Sequence, residues 1–126
     1  MKKIIETKNA PAPIGPYSQA ILVNNTLYSS GQIAIDPATG NLIIDNIKDE
    51  TTQVMENLKA VLAAAEMDFD QVIKTTIFIS NMNDFLKINE IYGSYFDDSY
   101  APARETVQVA KLPKNVNVEI SVIAVK

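Results

Sequence analysis

The last quarter of the chain, Pro102 to Lys126, constrains the fold most. It predicts two β-strands with a proline-containing link, Ala103–Val109 and Asn117–Val125, both rich in apolar and β-branched residues. Each nevertheless carries charge in its interior. A long charged side chain in an apolar strand is costly to bury unless paired, so Arg104 and Glu119 mark either a structural ion pair or a site. Alternation places Arg104, Thr106 and Gln108 on one strand face, opposite Glu105, Val107 and Val109. A guanidinium grips a carboxylate through two parallel hydrogen bonds. Its partner is either Glu119 on the next strand or a bound ligand, because spacing alone does not fix the register.

Upstream, residues 3–7 predict a short edge strand. Asn9 to Ser18, with three prolines and a glycine, predicts an extended, pre-ordered surface loop that ends near Tyr17. Tyr17 either packs on the core or is delivered to a site. Ala20–Val23 and Thr26–Ser30 flank Asn24-Asn25 as a tight hairpin. The second strand runs into Ser30-Gly31-Gln32, where glycine permits close approach of a backbone or a ligand. Asp36-Pro37-Ala38-Thr39-Gly40 is a turn between Gln32–Ile35 and Asn41–Ile44.

From Ile47 to Ala65 the period changes. Val54, Leu58, Val61, Leu62 and Ala65 form one stripe of an amphipathic helix, and Asp45, Asp49 and Glu50 favour its N-terminus. Val72–Ile79 is the clearest strand, with Ile73, Thr75, Ile77 and Ile79 on one face and Val72, Lys74, Thr76 and Phe78 on the other. Asn81 to Asp84 then caps a second helix whose apolar stripe holds Phe85, Ile88, Tyr92, Tyr95 and Phe96. Asn89 falls on the same face, so its amide needs partners: it either ties a loop or walls a pocket.

The order of elements gives an α+β domain, a mixed and mostly antiparallel sheet with two helices packed on one face. Two helices cover one face only. The other carries Ile123 and Val125, or Val118, Ile120 and Val122, according to register. An apolar face of that size is normally covered, which predicts a homo-oligomer with pockets at the subunit seams.

The 126 residues suit a single domain, 1–126, that buries about two-thirds of its unfolded surface. Apolar residues make up 47% and charged residues 21%, as in ordinary globular chains. A net charge of −4 without a basic cluster argues against nucleic acid as the main partner. The chain has no Cys and no His. That excludes disulfides, thiol nucleophiles, the common zinc sites and Ser-His or Cys-His catalysis. Acid–base chemistry near neutral pH is left to a perturbed carboxylate, Lys or Tyr, or to ordered water and backbone. The N-terminus lacks the apolar core of a signal peptide, and no apolar run nears the roughly 20 residues of a membrane span. The expectation is a cytoplasmic protein with no membrane partner.

Several segments form an ordered set: Ala10-Pro11 with Ile14-Gly15-Pro16-Tyr17-Ser18-Gln19-Ala20, then Ser30-Gly31-Gln32-Ile33, then Val72-Ile73-Lys74-Thr75-Thr76 with Asn83-Asp84-Phe85. Pro102-Ala103-Arg104, Val109-Ala110-Lys111-Leu112-Pro113-Lys114 and Val118-Glu119-Ile120 complete it. Each piece is weak alone; the ordered set is specific, and it resembles the RidA (YjgF, L-PSP) family. The resemblance implies a homotrimer with a central barrel-like core and sites between subunits. It implies reactive-intermediate deamination: enamines and imines of 2-keto acids, such as those from 2-aminoacrylate, hydrolysed to the 2-keto acid and ammonia. No metal or organic cofactor is implied.

On the same resemblance, Arg104 matches the arginine that binds the substrate carboxylate, and Glu119 the glutamate that positions or activates water. Tyr17, Ser30, Gly31 and Asn89 match pocket positions. Two positions depart from many relatives: Thr106 stands where they carry Cys, and Ser121 where they carry a second acid. Thr106 keeps hydrogen-bonding capacity as a substrate-binding residue but no thiol chemistry. Competing readings are a binding module that recognises a keto or amino acid without turnover, and a ribonuclease or translation inhibitor, which the acidic charge and missing His disfavour.

Overall fold

The computed structural model describes residues 1–126. Local chemistry sets most element boundaries. The Asn46 side chain accepts the backbone N–H of Asp49 at 2.9 Å and starts helix α1, Ile47–Ala64. Asn24, in the left-handed region at φ 54°, turns strand β2 (Ala20–Val23) into β3 (Thr26–Ser29). Strands β1 (Lys2–Ile5), β4 (Val72–Ile79), β5 (Ala103–Gln108) and β6 (Val118–Val125) and helix α2 (Phe85–Gly93) complete the set. No helix is long and apolar enough to cross a membrane.

The six strands form one sheet in the order β1-β2-β3-β6-β4-β5. Every pair is antiparallel except β4–β5, whose parallel crossover passes through α2. The last strand in sequence therefore lies inside the sheet. Its parity sorts the two faces. Val118, Ile120, Val122 and Ala124 are buried in one cluster with Val54, Met55, Leu58, Val61 and Leu62 of α1 and Ile88 and Tyr92 of α2. Glu119, Ser121, Ile123 and Val125 point the other way. That face also holds Phe78 opposite Glu119 and Tyr28 opposite Ile123, and no element of the chain covers it. Tyr28 is 48% exposed and Val107 44%.

Two expectations change. The β4–β6 register shifts between Val72 and Lys74, a bulge at Ile73. Val72 consequently turns into the core with Thr75, Ile77 and Ile79, while Ile73 is 53% exposed; the extra residue reverses the parity of everything before it. The segments flanking the Asp36–Gly40 turn carry two isolated bridges, Gln32 with Ile120 and Ile35 with Leu42. Tyr95 and Phe96 follow the end of α2, and their rings pack with those of Phe69 and Tyr92 instead of extending the helix.

Glu50 does more than favour a helix terminus. It is fully buried, and its carboxylate accepts the Asn117 backbone N–H and side-chain N–H, both at 2.7 Å, and the Val118 N–H at 3.2 Å. The carboxylate of α1 is thereby tied to the start of β6.

Candidate functional site

Glu119 projects from β6 onto the uncovered face. The segment after β3 runs beside it: Gln32 N–H donates to the Ile120 carbonyl at 2.8 Å, and Ile120 N–H donates back at 3.1 Å. This pairing holds Gly31 against the carboxylate. A Cβ added at Gly31 would lie 2.5 Å from Glu119 Oε2, so only glycine leaves the carboxylate where it is. Ser30 is fixed by its N–H to the Gln19 carbonyl at 2.9 Å and its hydroxyl to the Ser18 carbonyl at 2.6 Å.

The proline-rich loop is stapled from below by Gln19, which is buried. Its Nε2 donates to the carbonyls of Thr7, Ala10 and Pro11, and its Oε1 accepts the Thr7 N–H at 2.7 Å. The loop so held presents Tyr17, half exposed, with its hydroxyl accepting the Ile14 N–H at 3.1 Å. Tyr17, Ser30, Gly31 and Glu119 line one cavity of about 450 Å³, with Ile14, Ile33, Ile35 and Pro113 as its apolar wall. The side-chain amide of Asn57 in α1 steadies that wall, donating to the carbonyls of Ile33 and Ile35 at 3.0 Å each. Glu119 makes no ion pair and no hydrogen bond within the chain. Burial pushes its carboxyl pKa up, which makes it a better proton acceptor than an exposed carboxylate.

Arg104 lies elsewhere. It pairs with Thr75 across β4–β5 and so faces the helices, where its guanidinium sits 5.0 Å from the Tyr92 ring centroid and 5.6 Å from that of Phe85. Its Nη1 donates to Asn89 Oδ1 at 2.6 Å. Tyr92 is itself held by a 2.7 Å hydrogen bond between its hydroxyl and Thr75 Oγ1. The chain's ion pairs are Lys48–Glu90 and Lys74–Glu105, so Arg104 has no carboxylate of its own. Stacked on two rings and fixed by one amide, it keeps further N–H donors for a ligand.

The structure thus brings Tyr17, Ser30, Gly31 and Glu119 together, and separately Asn89 and Arg104, with Thr106 two residues along the same strand face. It does not join the two groups. Arg104 and Glu119 sit on opposite faces of the sheet with β4 between them, and the intramolecular ion pair weighed from sequence does not form. Asn89 is exposed, not buried: its amide reaches Arg104 from the helix surface. Thr106 Oγ1 is buried and has no hydrogen-bond partner in the chain. Ser121 lies opposite Thr76; Lys74 and the Thr76 hydroxyl both donate to Glu105 and hold that carboxyl below the usual carboxylate range.

Sequence reasoning gave no role to Gln19, although it lies in a segment that carries the family resemblance. A lone amide between a proline-rich loop and an apolar strand was a usable signal for it. No three acidic side chains converge to hold a metal ion.

The profile of the family described as Endoribonuclease L-PSP matches residues 7–126. The 2-iminobutanoate/2-iminopropanoate deaminase of Mus musculus is 48% identical over 126 residues, which is 100% of this chain and 93% of that protein. A Rid-family protein of unknown function from Yersinia pestis superposes with a TM-score of 0.97 at 52% identity, covering 100% of both chains. The E. coli TdcF structure with bound serine superposes at 0.93 with 43% identity and 98% of each chain covered. With a match this extensive in both sequence and fold, the chain belongs to the RidA/YjgF family, the one whose profile carries the L-PSP description.

Proposed function

We propose that the protein is a cytoplasmic hydrolase of reactive 2-imino acids and their enamine tautomers, producing the 2-keto acid and ammonia. Its sites are formed between neighbouring copies of a homotrimer. The observation that carries this reading is a pair of incomplete half-sites. Glu119 is a half-buried carboxylate without a partner beside a cavity, and Arg104 is a fixed guanidinium without a carboxylate. They cannot meet within one chain. The uncovered sheet face supports association of copies, and association supplies the missing half to each site. The mouse relative's name supports the reaction class.

Arg104 of one copy takes the substrate carboxylate, with Asn89 holding the guanidinium and Thr106 Oγ1 offering one more hydrogen bond. Glu119 of the neighbour orients a water over the imine carbon, with Tyr17, Ser30 and Gly31 closing the pocket around it. The substrate reacts as its protonated iminium: as the water oxygen bonds to C2, Glu119 takes a proton from the water and the C=N electron pair moves onto the nitrogen, which becomes a neutral amine. Glu119 returns the proton to that nitrogen, the C2–N bond breaks, ammonia leaves and the remaining hydroxyl loses its proton to give the ketone. Imines already hydrolyse in water, so positioning is the main demand and no nucleophilic side chain is required.

The test is ammonia release from 2-iminobutanoate generated freshly by a coupled dehydratase. Arg104→Ala should lower kcat/KM about a hundredfold; equal rates in variant and wild type would sink the assignment. A binding module without turnover is the second reading, favoured by the serine bound in TdcF. It prevails if wild type gives no acceleration but retains keto-acid binding. A net charge of −4 and the absence of His disfavour RNA cleavage.

A further inference from the structure

Of the residues that line the cavity beside Glu119, only one other is charged: Lys114. The cavity of about 450 Å³ that begins at Glu119 extends as far as this lysine. A lysine on an exposed turn is ordinarily a solvated charge. Two observations set this one apart. Lys114 adopts φ 55°, ψ 20° and Asn115 φ 56°, two successive side-chain-bearing residues in the region glycine favours. The turn is closed by Asn115 N–H to the Leu112 carbonyl at 3.0 Å and Val116 N–H to the Pro113 carbonyl at 3.3 Å. Backbone strain of this kind persists where the surroundings over-determine it, and it concentrates at ligand sites. Lys114 also belongs to neither ion pair of the chain, so an ammonium without a carboxylate partner borders a cavity that it shares with Glu119, with the polar side chains of Tyr17, Gln19, Ser30 and Gln32, and with the apolar Ile14, Ile33, Ile35 and Pro113.

Resting on the hydrolase reading above, we propose that Lys114 reads a second carboxylate on the substrate, so that the site accepts the imines of dicarboxylic 2-amino acids. Arg104 of the neighbouring copy holds the C1 carboxylate, C2 lies over Glu119, and the methylene stem runs along Ile33 and Ile35. The distal carboxylate then meets Lys114. An ammonium on a flexible stem suits this task better than a rigid fork, because it follows a carboxylate at more than one chain length.

The experiment compares the affinities of the assembled protein for two product keto acids, 2-oxoglutarate and 2-oxobutanoate, by calorimetry. Wild type should prefer 2-oxoglutarate about tenfold, as one added charge-assisted hydrogen bond gives. Lys114→Met, which keeps the backbone demand of the turn, should collapse that ratio to near one, and Lys114→Arg should retain most of it. A wild-type ratio near one overturns the proposal, as does a ratio that survives Lys114→Met. The same ratio should appear in kcat/KM for 2-iminoglutarate against 2-iminobutanoate. Hydrolysis of 2-iminobutanoate by wild type is scored separately and tests only the underlying hydrolase reading.

Discussion

Glu119 carries opposite consequences for stability and for activity. Burial raises its pKa in the folded chain above the unfolded value. For a group shifted in that direction, the stabilising contribution is present at low pH and is lost as pH rises through the folded pKa. Glu119→Gln removes that loss. The variant should equal or exceed wild type in urea resistance at pH 7, with the difference narrowing toward pH 4, while kcat for imine hydrolysis falls about 10²–10⁴-fold. If the substrate carboxylate neutralises the guanidinium as proposed, burial sets the sign, and the acid limb of kcat should lie above the ordinary carboxylate range. A Glu119→Gln enzyme with full kcat would show that the carboxylate is not the base. At this scale the sequence was informative: a charge inside an apolar strand, in a chain without Cys or His, left few candidates. It could not reveal that Gly31 is packed against that carboxylate, because the contact depends on the Gln32–Ile120 bridge and not on any local pattern.

Among elements, the tie between α1 and β6 matters most for holding the site. Glu50 is buried without a cation, satisfied by three N–H donors of Asn117 and Val118, the residues immediately before Glu119. Glu50→Ala leaves those donors unpaired and should cost about 3–5 kcal/mol in urea unfolding. A loss below about 1 kcal/mol would show that water replaces the carboxylate easily. From sequence, Glu50 looked like one of several acids near a helix start, because helical periodicity shows which side a residue faces and not what meets it there. The Ile73 bulge was hidden for a related reason. Val-Ile-Lys-Thr-Thr-Ile-Phe-Ile reads as an unbroken strand, and an inserted residue that alters pairing leaves no mark in composition. The parity of β5 against β6 was equally illegible. Each strand's own alternation was clear, but their relative phase is set by β4 between them.

For the whole molecule, the separation of Arg104 from Glu119 makes a prediction that a self-contained site would not. Arg104→Ala and Glu119→Gln chains, each nearly inactive alone, should regain about a quarter of wild-type activity when unfolded together at equal amounts and reassembled. Each shared site draws its two halves independently from the mixture. Zero recovery, with assembly confirmed by sedimentation, would mean that the sites are not shared between copies. The uncovered face that motivates association was legible from the count of elements, since two helices cannot cover both sides of a sheet. Which residues form it became clear only once the register put Ile123, Phe78 and Tyr28 there.

The position of β6 also bears on how the chain is made. It follows the other five strands in sequence, yet it belongs between β3 and β4. Until it emerges from the ribosome, the nascent chain holds two separate strand groups, each with an unpaired edge open to other chains. A product truncated before Val118 lacks both the strand that joins the two groups and the carboxylate assigned to catalysis. Incomplete synthesis therefore yields a chain marked for aggregation or proteolysis instead of a partly active protein.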